Sequence, residues 1–294
     1  MSRKIARITQ DKKLLLANEA VEDNRYSLNE HGKLYTKNIL EGNKFSIDDE
    51  FIEVGEFIEG YPFTKPVIDD SLVLWLDGST GNNYEQTGTW KDLSDNGNDG
   101  QLINFGFTED SGWVDGGLKF DGVDDYVNCG NDNILNSDLE LCAEALVTAS
   151  SYNHAGAGGF PRILSKSYGS IQGYQILINS ANSKLGIELK GGTTMYSNNS
   201  IPLNEKVHIA FTYSTSNVKI YINGVLDKEF RGVSGILASN STPFIVGDRG
   251  DGGRKWSGEI LLVRIYNRAL TDEEILQNYQ AGQCSPLLAM RGDV

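Results

Sequence analysis

The sequence is poor in cysteine, histidine and proline, and it lacks any long apolar run. Three cysteines in 294 residues, Cys129, Cys142 and Cys284, cannot build a disulfide framework. None sits in a Cys-x-x-Cys pair, and His31, His154 and His208 lie far apart, so no zinc ligand set is assembled. The longest apolar stretches, around Leu72–Leu76 and Ile260–Val263, are strand-length, which excludes a membrane-spanning helix. Positive charge is scarce as well. The 26 Lys and Arg face 40 Asp and Glu, a net charge of −14, so the cationic surface that nucleic acid binding requires is not expected. The basic start, Met1 to Arg7, is not followed by an apolar h-region, because Leu14–Leu16 is too short and acidic residues follow; no secretory signal is expected.

Glycine, by contrast, is abundant, with 33 against six prolines. A hydrophobic fraction of 39% is enough for one large core and a smaller appendage. The texture changes near residue 66. Residues 1–66 hold few glycines, many charges and short apolar runs such as Ile5–Ile8 and Phe51–Val54, punctuated by Gly32, Gly42, Gly55 and Gly60. This pattern predicts a β-rich module with little core of its own, which needs a partner surface to order it. Two prolines in Tyr61–Val67 mark a linker. Residues 67–282 then form the main domain, and residues 283–294 a tail that carries Arg291, Gly292 and Asp293.

The main domain reads as all-β. In Lys206–Ser214, Val207, Ile209, Phe211 and Tyr213 alternate with His208, Ala210 and Thr212, the period of a strand with two distinct faces. Val218–Ile222 and Val225–Phe230 flank Asn223-Gly224, the strongest hairpin signal in the chain. Further strands are predicted at 72–76, 118–120, 126–129, 139–148, 162–165, 174–178, 184–189, 244–246 and 260–266. Short strands at this spacing predict a two-sheet antiparallel sandwich. One helix is expected near the end: Thr271 and Glu274 make a capping box, and Ile275, Leu276 and Tyr279 form an apolar stripe.

Four segments, in order, carry a resemblance. They are Trp90–Gly100, Gly117–Val127, the pair Val207–Tyr213 and Val218–Val225, and Val263–Leu270. Together they resemble the laminin G-like, concanavalin A-like jelly rolls over roughly residues 70–281. The resemblance implies two antiparallel sheets packed face to face, with a face or loop edge that binds saccharide. Two departures stand out. Where the family usually carries Trp after the Asp-Asp-Tyr-Val motif, this chain has Leu146; where an aspartate often helps to hold a structural calcium, it has Leu261.

Calcium wants six to eight oxygen ligands. Asp92, Asp95, Asn98 and Asp121 are the candidate donors, with ordinary turn chemistry of Asp and Asn as the competing account. No cofactor is required by this reading, and calcium is the one the acidic turns would suit. Glycoside hydrolysis needs two carboxylates on one face about 5–9 Å apart. The family's Glu-x-Asp-x-Glu triplet is absent: Glu140 and Glu144 flank Cys142, and Asp124 and Asp125 are adjacent and face opposite ways. No catalytic residue is expected. Saccharide binding uses exposed aromatic rings, and the candidates are Trp256, Trp113, Tyr84, Tyr152, Tyr168 and Tyr196. Trp256, after the polar glycine-rich stretch Asp248–Lys255, is the first choice; Trp75 and Trp90 are expected in the core.

A short docking segment ahead of a lectin-like domain resembles the layout of phage decoration and tail-appendage proteins. The expectation is a non-enzymatic virion structural protein. It would be assembled in the host cytoplasm, multimeric on the particle, joined to other virion proteins through residues 1–66, and able to adhere to host surface glycan without nucleic acid or membrane contact. The competing reading is a secreted or cell-surface carbohydrate-binding module of a bacterium.

Overall fold

The computed structural model describes residues 67–79, 88–137, 139–153, 158–167, 173–189, 193–233 and 240–283, with the backbone of five short strands near the N-terminus. The chain divides into two compact units, Met1–Thr64 and Lys65–Val294. In the first, β1 (Ala6–Ile8), β2 (Leu14–Leu16) and β3 (Glu19–Ala20) form one antiparallel sheet. A separate hairpin joins β4 (Tyr26–Leu28) to β5 (Leu34–Thr36). The rest of residues 1–66, the linker, Cys284 and the C-terminal tail lie outside the described residues.

The second unit is a sandwich of two antiparallel sheets, as the strand pattern predicted. The first sheet is built on β12 (Glu140–Ala149) and β21 (Ser257–Tyr266). Beyond β12 come β17 (Lys206–Ser214), β18 (Asn217–Ile222) and β19 (Val225–Phe230). The far side of β21 pairs with β6 (Leu72–Asp77) along its C-terminal half and with β10 (Gly117–Asp121) along its N-terminal half. Beyond β10 lies β9 (Gly112–Val114). The second sheet starts with β16 (Met195–Ser200), β15 (Lys184–Leu189), β14 (Tyr174–Asn179) and β13 (Arg162–Ser165). It continues through β20 (Ile245–Val246), β11 (Tyr126–Asn128), β8 (Gly100–Ile103) and β7 (Thr89–Trp90).

Period two sorts each strand into a core face and an outward face. From β12, Leu141, Ala143, Ala145 and Val147 enter the core; from β14, Tyr174, Ile176 and Ile178; from β15, Leu185, Ile187 and Leu189. Trp90 is fully buried, whereas Trp75 is only half-buried, lying under the Arg264 guanidinium at 5.4 Å from its ring centre. The Asn223-Gly224 turn has φ of 50° and 75°, the signs a type I′ hairpin needs.

The helix α1 (Asp272–Gln283) starts as its capping box predicts: Thr271 N–H donates to Glu274 Oε2, and Glu274 N–H donates to Thr271 Oγ1. It covers the outward face of the first sheet, where Ile275 joins Cys142, Ala210, Tyr221, Tyr266 and Leu270. The inward stripe includes a polar residue, Asn278, fully buried, while Leu276 is exposed.

The two departures from the family pattern meet in space. The pairing of β12 with β21 slips between Leu146 and Val147, so Leu261 is an extra residue on β21. Leu146, Leu261 and Leu262 then form a small buried cluster of their own, apart from the main core. Leu146 therefore does not fill a site in the main core; it packs against the leucine that replaces the family's aspartate. Burying two such side chains is worth about 1.5–3 kcal/mol each.

Candidate functional site

The aromatic candidates do not gather. Trp256 is fully buried, against expectation, and its ring packs on Tyr152 at 6.4 Å. The cause is a backbone closure: Trp256 N–H donates to Gly247 O at 2.8 Å, so this residue sits at the neck of the glycine-rich loop and not at its tip. Its Nε1 finds no hydrogen-bond partner among the described residues. Tyr152 is buried too, with its hydroxyl on Ile201 O at 3.2 Å. Trp113 is half-buried and meets Trp90 edge-on, its ring centre 6.0 Å away, as part of the core wall. Tyr84 and Tyr168 lie outside the described residues. Tyr196 stands half-buried on the outward face of the second sheet, across from Gly186.

The proposed calcium donors also fail to converge. Asp92 is engaged by the backbone: Oδ1 accepts from Trp75 N–H and Ser94 N–H, and Oδ2 from Asn98 N–H. Asn98 Nδ2 donates to Val73 O, and Asp95 is exposed with φ of 65°. Asp121 Oδ1 accepts from Val123 N–H. This is turn chemistry. Among the described residues, the carboxylates that do approach one another are Asp121, Asp124 and Asp125, within 4.8 Å. Burial, with the charges of Asp121 and Asp124, pushes the Asp125 carboxyl up to about 6, against hydrogen bonds from Asp121 N–H and Ser111.

A different constellation occupies the outward face of β13–β16. Arg162 on β13 is buried and directs its guanidinium across neighbouring strands. Nε donates to Gln175 Oε1 at 2.5 Å, Nη1 to Phe160 O at 2.8 Å, and Nη2 to Glu188 Oε2 at 3.1 Å. Gln175 and Glu188 face each other in the β14–β15 register, which is why one arginine reaches both. The other oxygen of Glu188 accepts from Thr194 Oγ1 at 2.8 Å. Glu188 is thus gripped on both sides, yet its side chain remains 23% exposed against 5% for Arg162.

The loop Asp248–Arg254 borders this face. Arg249 Nε lies 3.0 Å from each carboxylate oxygen of Asp251. Arg254 stacks on the Phe160 ring at 5.5 Å, and its backbone carbonyl accepts from Arg162 N–H at 2.9 Å. Gly250 and Gly252, with φ of 92° and 77°, let the loop turn back on itself between the two arginines. Burial pushes Arg162 down to about 10, with Glu188 opposing and Arg249 and Arg254 adding to the shift; it stays protonated at neutral pH.

Sequence reasoning missed this group. Its signal was present: Gln175 and Glu188 interrupt otherwise apolar strands at the period that places them opposite the core. What no pattern gave was the register that sets them side by side.

The second unit is thus an antiparallel two-sheet β-sandwich with a polar cluster on one outward face. Residues 121–276 match the Laminin_G_3 family, the concanavalin A-like lectin/glucanases superfamily, and the chain belongs to it. No curated protein matches the sequence. Among solved structures, the chain is similar to the sialidase of Trypanosoma rangeli in complex with sialic acid. The identity is 18% and the TM-score 0.54, over 73% of this chain and 33% of that one, so the match spans about a third of the sialidase. It is similar to domain 4 of AbnA, an extracellular arabinanase of Geobacillus stearothermophilus in complex with arabinotriose, at 18% identity and TM-score 0.54, over 71% and 98% of the two chains. It is also similar to the binding domain of Paraclostridial Mosquitocidal Protein 1, at 17% identity and TM-score 0.55, over 72% and 52%. At such identities the shared feature is the fold.

Proposed function

We propose that the sandwich is a saccharide-recognition module without turnover, and that its site is the outward face around Arg162, Gln175, Glu188, Thr194 and Tyr196. The observation that carries this reading is Glu188. Arg162 and Thr194 hold its carboxylate in one orientation at a surface it still reaches, the preorganised acceptor that sugar hydroxyls require. Gln175, itself buried, holds Arg162 in place by accepting from its Nε. Tyr196 supplies the amphipathic ring. A carboxylate with both oxygens engaged suits an acceptor better than a proton donor. Glu144, on β12, is fully buried. The test displays the full chain on beads against isolated bacterial envelopes. Glu188→Gln and Tyr196→Ala are expected to reduce retention several-fold with the melting temperature unchanged and no reducing sugar released; retention equal to wild type in both variants removes this face from the site.

We further propose that the module is displayed on a virion, with residues 1–66 as its docking segment. The short strands and many charges of that segment, ahead of a domain with its own large core, support this reading. Recovery of the chain in purified particles is the expected result. Recovery on bacterial surfaces in the absence of particles favours a secreted or cell-surface binding module instead.

A further inference from the structure

We infer that the saccharide taken by this face is anionic, a glycan bearing carboxylate or phosphate groups that Arg254 meets while Glu188 meets its hydroxyls. The inference rests on the saccharide reading above and adds the ligand's charge. It begins from an imbalance. Arg162, Arg249 and Arg254 are brought to one place, with Glu188 and Asp251 as their carboxylate neighbours. Arg162 is matched by Glu188, and Arg249 by Asp251. Among the described residues Arg254 has no carboxylate: Nη1 donates to the Gly158 carbonyl, Nε is buried without a hydrogen-bond partner, and one face lies on Phe160.

The nearest acid in sequence cannot serve it. Asp248 is buried, with Oδ1 on Arg254 N–H, Oδ2 on Gly252 N–H, and Lys255 Nζ at 3.2 Å. The loop therefore uses one carboxylate to fix its own backbone and pairs that charge with a lysine, leaving the Arg254 guanidinium unneutralised. Gathering three guanidinium groups is unfavourable, and the opposing influence of Arg249 and Arg254 on Arg162 reflects that repulsion. A bound anion relieves it. Guanidinium is also the group best shaped to read a planar carboxylate or a phosphate by paired N–H bonds. Stacking on Phe160 holds its plane in place before the ligand arrives.

The net charge of −14 does not forbid this. At physiological salt the Debye length is about 8 Å, so acids elsewhere on the surface are largely screened from a ligand in contact with Arg254.

The test uses the full chain on beads and three matched pairs of polymers: polygalacturonate and its methyl ester, hyaluronate and its carboxyl-reduced form, phosphomannan and dephosphorylated mannan. For at least one pair, retention of the charged member is expected to exceed that of the neutral one by about tenfold, as for a charge-assisted hydrogen bond. Arg254→Gln is expected to bring the two members level, and Arg254→Lys to restore part of the preference. The carboxylate and phosphate pairs separate the two sources of charge. Equal binding of charged and neutral members in every pair overturns the inference and leaves the saccharide reading intact. Binding to none overturns both. Inorganic polyphosphate bound as tightly as the best glycan also overturns it, since charge alone would then suffice.

Discussion

Each sheet of the sandwich carries an arginine–glutamate pair on its outward face, and the two pairs have opposite fates. On the first sheet, Glu144 accepts from Arg264 Nη1 at 2.9 Å and from Asn278 Nδ2 at 3.0 Å, and His208 Nε2 lies 3.2 Å away. Asn278 reaches down from α1 and also donates to the Tyr266 hydroxyl, so the helix seals the pair completely. On the second sheet, Arg162 and Glu188 make a similar contact with no helix above them among the described residues, and Glu188 keeps access to solvent. The chemistry of the pairs is alike. What differs is the layer above, and that layer makes one pair a structural tie and leaves the other free to meet a ligand.

The strongest way to break this comparison is to remove one partner from each pair and measure unfolding by denaturant. Glu144→Ala strands a buried guanidinium beneath α1 and is expected to destabilise the fold by about 3–5 kcal/mol. Glu188→Ala leaves Arg162 its bonds to Gln175 and Phe160 O and opens it to water, and the expected loss is smaller, about 1–2 kcal/mol. Similar losses at both sites would end the distinction between a sealed and an open pair.

Acid sharpens it. Burial alone would raise the Glu144 carboxyl, but the hydrogen bond to His208 and the charge of Arg264 reverse this and hold it below its ordinary 4.5. A carboxyl lowered on folding contributes stability that is present above its unfolded value and lost as pH falls through the folded one. Wild type should therefore lose stability below about pH 4.5 more steeply than Glu144→Gln, measured from unfolding midpoints across a pH series. Asp125 acts with the opposite sign. Its raised value, about 6, means that stability rises as pH falls from 6 toward its unfolded 3.8, and Asp125→Asn should flatten that rise.

The smallest expected effect concerns metal. Asp92, Asn98 and Asp121 are bound to the backbone, so chelation with EDTA should leave the melting temperature of the full chain unchanged. A large drop reversed by calcium would assign the ion to the Asp121, Asp124 and Asp125 cluster.

Period and turn chemistry are local, and they were readable in the chain. Alternation in Lys206–Ser214, the Asn223-Gly224 turn and the Thr271–Glu274 capping box each involve residues within a few positions, and each appears where its pattern predicts. The sandwich followed from these, and the family from the resemblance of four motif segments. The site did not, because its members are brought together by register and closure. Arg162, Gln175 and Glu188 meet through pairings across three strands, and the Gly247–Trp256 hydrogen bond reverses the expected exposure of Trp256 by placing it at a loop's neck. Nothing local to Glu144 or Glu188 says which of the two is covered. That was decided when Asn278, on an otherwise apolar helical stripe, packed over Glu144, since a buried carboxylate persists only where tertiary contacts supply every hydrogen bond that water would have made.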